Sequence, residues 1–176
     1  MYPFIRLSIS LLHARGQPKT SFDDVYESHH RVMPWDMDLF GELNNGLTLT
    51  LLDLNRLPFG QQTGWNRCLL NNGWAMTMAG VSVRYRKRIR MFEKVRITCR
   101  SAGRDDRFFY LVQTIWSGKT AATNAVYRCA VTNKKGLVPT QDVAVAMGAP
   151  DWAPELPAWV RAWIDAEAER TWPPES

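Results

Sequence analysis

Residues 31–56, RVMPWDMDLFGELNNGLTLTLLDLNR, decide how this chain folds. The segment enters as a strand-like approach, Arg31-Val32-Met33-Pro34-Trp35, and then passes two acids one residue apart, Asp36 and Asp38. Phe40 to Gly46 reads as a turn, because Gly41, Asn44, Asn45 and Gly46 are residue types that adopt positive φ or bond their own backbone. The leucine-dense run that follows fits two patterns. Its alternation of leucine and threonine suits a strand, whereas Leu47, Leu51 and Leu54 share a face of a helix, with Leu52 beside them and Pro58 as a stop near Phe59. In the helical reading the two carboxylates lie just ahead of a helix N-terminus, where unpaired N–H groups stabilise negative charge.

Outward from this segment, residues 2–14 read as an amphipathic helix with Phe4, Leu7 and Leu11 on one stripe and Ile5, Ile9 and Leu12 beside it. Gly16 and Pro18 end it. A polar linker leads to a first strand, Val25 to Val32. Beyond the central run, Gly60 to Gly73 reads as loop with a short helical stretch, and Trp74 to Arg90 as one long strand. There Val81, Val83, Tyr85 and Ile89 alternate with Arg84, Arg86, Arg88 and Arg90. Strands are expected at Val95–Ser101, Phe108–Ser117 and Ala121–Thr132, separated by Gly-, Asn- and Asp-containing turns. A short helix near Thr140–Met147 and a terminal helix near Glu155–Arg170 follow, the latter with Leu156, Trp159, Val160, Trp163 and Ile164 on one face. One helix followed by a run of antiparallel strands is an α+β order.

The 176 residues suffice for one well-formed core and are short for two. Composition is that of an ordinary globular chain, except that eight tryptophans point to large buried aromatic areas or a subunit interface. A net charge of +5 favours acidic partners: nucleic acid, anionic membranes or phosphorylated cofactors such as coenzyme A. Cys68, Cys99 and Cys129 are odd in number and widely spaced, which suggests neither a disulfide framework nor a zinc site and sets a reducing cytoplasm as the expected compartment. No apolar run approaches the ~20 residues of a spanning helix.

Several residues carry two readings each. Asp36 and Asp38 fit both a turn-forming, N-capping pair and an acid–base site. Asn44 and Asn45 fit positive-φ turn positions or groups that orient a water. The run Arg84-Tyr85-Arg86-Lys87-Arg88-Ile89-Arg90 fits a charged, protected strand edge, a phosphate site or a nucleic-acid stripe. The last lacks interleaved aromatics and a recognised module. Asp53 and Arg56, three apart, fit a helix ion pair. His29 and His30 adjoin in a strand and His13 is isolated, so no metal site is expected.

The pattern Asp36-x-Asp38-x-x-Gly41-x-x-Asn44-Asn45, followed by an apolar helix ending Asp53-x-x-Arg56, resembles the hot-dog-fold acyl-CoA thioesterases of the 4-hydroxybenzoyl-CoA thioesterase type. Within them it is similar to the branch that includes a vertebrate member anchored near its N-terminus. His30-Arg31-Val32-x-Pro34, Asp105-Asp106-Arg107-x-Phe109-Tyr110-Leu111 and Pro154-Glu155-Leu156-Pro157 extend the likeness over about residues 20 to 165. Where many relatives have Gly-His-x-Asn-Asn, this chain has Gly41-Glu42-Leu43-Asn44-Asn45.

The resemblance implies an antiparallel sheet wrapped around one long central helix, which decides the leucine run as that helix. The chain then divides into an N-terminal amphipathic helix and linker (1–20), a hot-dog domain (21–148) and a C-terminal helical extension (149–176). The implied reaction is hydrolysis of an acyl-CoA thioester, with coenzyme A as part of the substrate and no other cofactor. The alternative is a non-catalytic acyl-CoA or acyl-ligand-binding protein of the same fold, given weight by Glu42 in the usual histidine position. Asp38 aligns with the functional carboxylate of relatives, and the amides near Leu43 to Gly46, with Asn45 and Gly46 as the named candidates, would form the oxyanion hole. Asp36, Asn44, Trp74, Met76, Arg84, Arg86 and Arg88 are the expected substrate-binding residues. A homodimer or a tetramer of dimers is implied, in which residues 71–78 of a second subunit line the acyl pocket. No nucleic-acid partner is expected, and a weak contact of the N-terminal helix with a membrane surface is the one further partner weighed.

Overall fold

The turn ahead of the central helix is a closed miniature hairpin in the computed structural model, which describes residues 2–171 and 173. Asp38 N donates to the Glu42 carbonyl at 2.8 Å, and Met37 bridges to Leu43. Gly41 reverses the chain at φ 72°, a left-handed conformation that a residue without Cβ adopts at no steric cost. Asn44 then caps the helix, its side-chain oxygen accepting from Gly46 N at 2.8 Å and Leu47 N at 3.2 Å.

Helix α2 runs Asn45–Gln62, so the leucine/threonine run is helical. Leu52 and Leu54 are fully buried and Leu51 nearly so, whereas Leu47 is only half-buried, at a flank of the helix instead of its core face. Pro58 does not end the helix as expected. Pro58, Phe59, Gly60 and Gln62 are all buried, and that packing outweighs the ~3 kcal/mol cost of an interior proline.

The sheet has strands β1 (Tyr26–Arg31), β2 (Ala75–Tyr85), β3 (Lys94–Arg104), β4 (Phe109–Ser117), β5 (Thr120–Asn133) and β6 (Gly136–Val138). All pairings are antiparallel, in the order β1-β3-β4-β5-β2 with β6 on β5. With α2 against one face, this is the α+β hot-dog arrangement. The short helical stretch expected between Gly60 and Gly73 is α3 (Trp65–Asn71), whose Trp65 ring meets Phe109 edge-on at 4.6 Å, whereas the next strand differs from expectation. Strand β2 stops at Tyr85 because Arg86 N and Lys87 N both turn onto the Ala122 carbonyl, at 2.8 and 3.1 Å. The four arginines from Arg84 to Arg90 therefore do not share a strand face.

The opposite face of the sheet is covered by the C-terminal segment. Helix α4 (Thr140–Ala146) is followed by α5 (Ala158–Ala168), which starts after Pro157 and three residues later than expected. Val160 is completely buried against Ala102, Tyr110, Val112 and Val126, with Trp163 and Ile164 packed alongside. Trp159, expected on that face, is 48% exposed. Gly103, at a bulge in β3, has φ 135°, and a Cβ there would lie 2.9 Å from Leu156 Cδ2, so only glycine admits this covering segment. Covering on both faces explains why residues 109–113 are buried without alternation. Residues 172 and 174–176 of the expected extension lie outside the described residues.

Helix α1 (Phe4–Arg15) lies along α2. Leu7 packs into the core, Ala14 is fully buried, and Gln61 Nε2 donates to the Leu11 carbonyl at 3.3 Å. Phe4, Ile5, Ile9 and Leu12 are left exposed, so Phe4 does not join the stripe expected with Leu7. Among the described residues no helix is long and apolar enough to cross a membrane.

Candidate active site

Asp38 sits at the mouth of the miniature hairpin, half-buried. Its Oδ1 accepts from Phe40 N at 2.9 Å and Glu42 N at 3.1 Å, while Oδ2 receives no donor among the described residues. One oxygen thus holds the turn and the other is left available.

The amides expected as oxyanion donors divide sharply. Leu43 N donates to the Ile89 carbonyl and Asn44 N to the Asp36 carbonyl, both at 2.9 Å. Gly46 N and Leu47 N are taken by the Asn44 cap, so Gly46 is not a free donor. Asn45, the first residue of α2, is the one whose N–H has no acceptor among the described residues, and it points along the positive end of an 18-residue helix dipole.

Beside this N-terminus is a hollow of about 230 Å³ lined by Glu42, Asn45, Thr48, Tyr85, Arg86 and Arg88. Tyr85, read from sequence only as one of the residues that alternate with the arginines, donates its hydroxyl to the Asn45 carbonyl at 3.3 Å, and burial raises its pKa. Glu42, in the place of the relatives' histidine, pairs with Arg88 at 3.0 Å. Lys87 Nζ reaches Ser117 Oγ at 2.6 Å, and Arg86 has no side-chain partner among the described residues. Arg84 instead lines a separate hollow with Ser82, Asn124 and Trp159, on the side of the sheet that α5 covers.

The remaining expected residues are elsewhere or differently employed. Asp36 is buried and accepts both from Arg6 Nη1, at 2.8 and 2.9 Å, and from Met33 N at 2.9 Å, so it fixes α1 and the approach segment. Arg6 was legible as an unusual charge inside an apolar helix. Asn44 is the helix cap. Trp74, just ahead of β2, and Met76, at its start, pack on the core roughly 36 and 30 Å from Tyr85 at strand rise, and do not line this hollow within one chain. Among the described residues no group of three His, Cys, Asp or Glu side chains could hold a metal ion.

Asp53 and Arg56 form the expected ion pair, part of a polar network between α2 and the sheet. Arg56 Nη1 donates to Gln113 Oε1 at 3.1 Å, Gln113 Nε2 to Asn55 Oδ1 at 3.0 Å, and Asn55 Nδ2 to Ser28 Oγ at 2.8 Å. The guanidinium also lies 4.2 Å from the centre of the Tyr127 ring. Burial lifts the Asp53 carboxyl above its usual range, against the pull of Arg56. Gln113, a lone amide in an apolar strand, was the sequence signal for this network.

The geometry is thus an open helix N-terminal amide on a residue that lines a basic hollow, and an available carboxylate oxygen on the turn before it, at Asp38, which does not itself line that hollow. Comparison with known proteins agrees with the fold. Protein THEM6 of Xenopus laevis is 32% identical over 126 residues, 70% of this chain and 60% of that protein. The chain therefore spans less than two thirds of that relative. Among solved structures, a probable thioesterase from Bartonella henselae superposes with a TM-score of 0.59 at 21% identity, covering 66% of this chain and 97% of its own. A probable thioesterase from Escherichia coli gives 0.65 at 13% identity, covering 73% and 99%. A profile of the thioesterase-like superfamily matches residues 32–164, from the approach to the miniature hairpin through most of α5, and the chain belongs to that family.

Proposed function

We propose that the protein hydrolyses acyl-CoA thioesters at the N-terminus of α2. The observation that carries this reading is that one short segment holds both an Asp38 Oδ2 with no donor among the described residues and, at the start of α2, an Asn45 N with no acceptor among them. A thioester carbonyl accepting from Asn45 N would have its developing oxyanion stabilised by the helix dipole. Asp38 either takes a proton from the water that attacks the carbonyl carbon or attacks that carbon itself, giving a mixed anhydride that water then cleaves. In both routes the C–S bond breaks, the sulfur leaves as a thiolate that takes up a proton, and the acid is released. Arg86 and Lys87 are the cations in position for coenzyme A phosphates, with Arg88 held partly by Glu42. Three buried, free cysteines fit the cytoplasmic compartment we assign it.

We further propose a homodimer through the free edge of β2. Antiparallel pairing of two copies centred near Gly80 would bring the partner copy's end of β2 that carries Trp74 and Met76 beside Tyr85 and Arg86. That supports a site completed by the second subunit.

A second reading, an acyl-CoA-binding protein without turnover, is favoured by one feature: Asp38 Oδ1 already has a structural task in holding Phe40 N and Glu42 N. A panel of acyl-CoA substrates with free-thiol detection separates the two. Release of thiol by wild type that Asp38→Asn loses supports hydrolysis, and saturable acyl-CoA binding with no thiol release from any substrate supports the second reading.

A further inference from the structure

An acyl group whose carbonyl reaches Asn45 N needs apolar space beside it. Between α2 and the sheet there is almost none. Arg56, Asn55 and Gln113 fill that layer with a bonded network, and the aromatic rings of Phe59, Trp65 and Phe109 close its far end. The cavity left among them is about 20 Å³, room for one water.

The space lies on the other flank of α2. A groove of about 570 Å³ runs between the start of α1 and the first turns of α2, walled by Tyr2, Phe4, Ile5, Trp35, Leu47 and Thr50. That is within the range of about 300–1,000 Å³ typical of small-molecule sites. Phe4, Ile5 and Trp35 are 69%, 79% and 64% exposed, a large apolar surface that the described residues leave uncovered. The two charges at its floor, Arg6 and Asp36, neutralise one another at 2.8 Å, so no uncompensated ion faces a guest.

The groove adjoins the proposed chemistry. Asp36 is two residues from Asp38, and Leu47 is two residues from Asn45. On the first turns of α2, Asn45 and Thr48 line the basic hollow, whereas Leu47 and Thr50 line the groove. The first turns of α2 therefore have a cationic space on one flank and an apolar one on the other, the two surroundings that a coenzyme A ester of an aliphatic acid calls for.

We propose that this groove is the acyl-chain subsite, and that its ligands are straight aliphatic chains. The inference rests on the hydrolase reading for its occupant but not for its test. Because α1 lies ahead of residue 32, where the family match begins, chain-length preference would be set by this helix together with Trp35, Leu47 and Thr50 of the matched region.

The experiment uses straight-chain acyl-CoA esters from acetyl to palmitoyl, with kcat/KM measured for each. In parallel, binding of the matching alkyl-CoA thioethers, which cannot be hydrolysed, is followed by calorimetry. Wild type should gain about fourfold in kcat/KM and in affinity per methylene until the groove is filled. Ile5→Glu, which places a charge in the wall at an exposed site, should flatten both slopes. Leu12→Glu, on the same helix outside the groove, should keep them and controls for damage to α1. Chain-length-dependent thioether binding lost in Ile5→Glu, without ester turnover, keeps the groove and ends the hydrolase reading. Turnover with no chain-length slope, or a slope unchanged by Ile5→Glu, ends the groove and leaves the hydrolase reading intact.

Discussion

Asp38 holds its turn through one oxygen alone, and that makes the role proposed for the other testable. Asp38→Asn keeps an acceptor at Oδ1 for Phe40 N and Glu42 N, so the miniature hairpin should survive with unchanged melting temperature. Removal of the charge should lower kcat by at least ~100-fold, the scale expected for losing a positioned base. Equal turnover by the variant would remove Asp38 from the chemistry. His30 gives a second prediction at this scale. Its Nε2 lies 3.0 Å from Ser28 Oγ, which already accepts from Asn55, so the serine proton is donated to a neutral imidazole. Burial, with Arg6 and His29 adding to it, pushes its pKa down from 6.5 to about 4. Between those values the unfolded chain binds the extra proton and the folded one does not, so stability falls as the pH falls through this window. The loss should be about 3 kcal/mol between pH 7 and pH 4. His30→Gln, which still accepts from Ser28, should show a correspondingly shallower acid dependence in urea unfolding, and parallel curves for the two proteins would refute the assignment.

At the scale of elements, the central helix was legible as an apolar run bounded by an Asn cap, but its limits and its buried face were not. Periodicity put Leu47 with Leu51 and Leu54, and it could not register that α1 leaves one flank of the first turn open. Pro58 read as a stop because local backbone cost is all a sequence displays, whereas burial of Pro58 to Gln62 is a tertiary gain. The basic run misled for a similar reason: alternation continues through Arg90 in sequence, while the Ala122 carbonyl captures Arg86 N and Lys87 N and ends the strand. In the candidate site, the turn was readable from residue types and Asp38 entered through the family resemblance, but which amide stays open depends on where the Asn44 side chain bonds. The helix offers a graded test. Leu54→Ala should cost about 2–5 kcal/mol in urea unfolding because a fully buried side chain leaves a cavity. Leu47→Ala should cost clearly less, and equal losses would contradict the assignment of Leu47 to an open flank.

At the scale of the whole molecule, β2 is the element whose exposure the single chain does not explain. It is eleven residues long, at the end of the sheet order, and none of its residues is buried. From Ala75 to Val83 it carries no charge and no proline, the devices that protect a free edge from pairing. With α5 covering one face of the sheet and α2 the other, this edge is where a second copy has access to backbone hydrogen bonds. Met78 and Val81 are 37% and 39% exposed near the middle of the strand. Replacing both with lysine should therefore leave the fold of each chain intact while opposing strand pairing across a two-fold axis near Gly80. Light scattering at micromolar concentration should report the mass of two chains for wild type and of one for the variant. In the proposed dimer Trp74 and Met76 of the second copy stand beside the basic hollow, so turnover should fall along with the dimer and recover as protein concentration rises. A wild type that scatters as a single chain, or a monomeric variant with full turnover, would show that one chain builds the whole site.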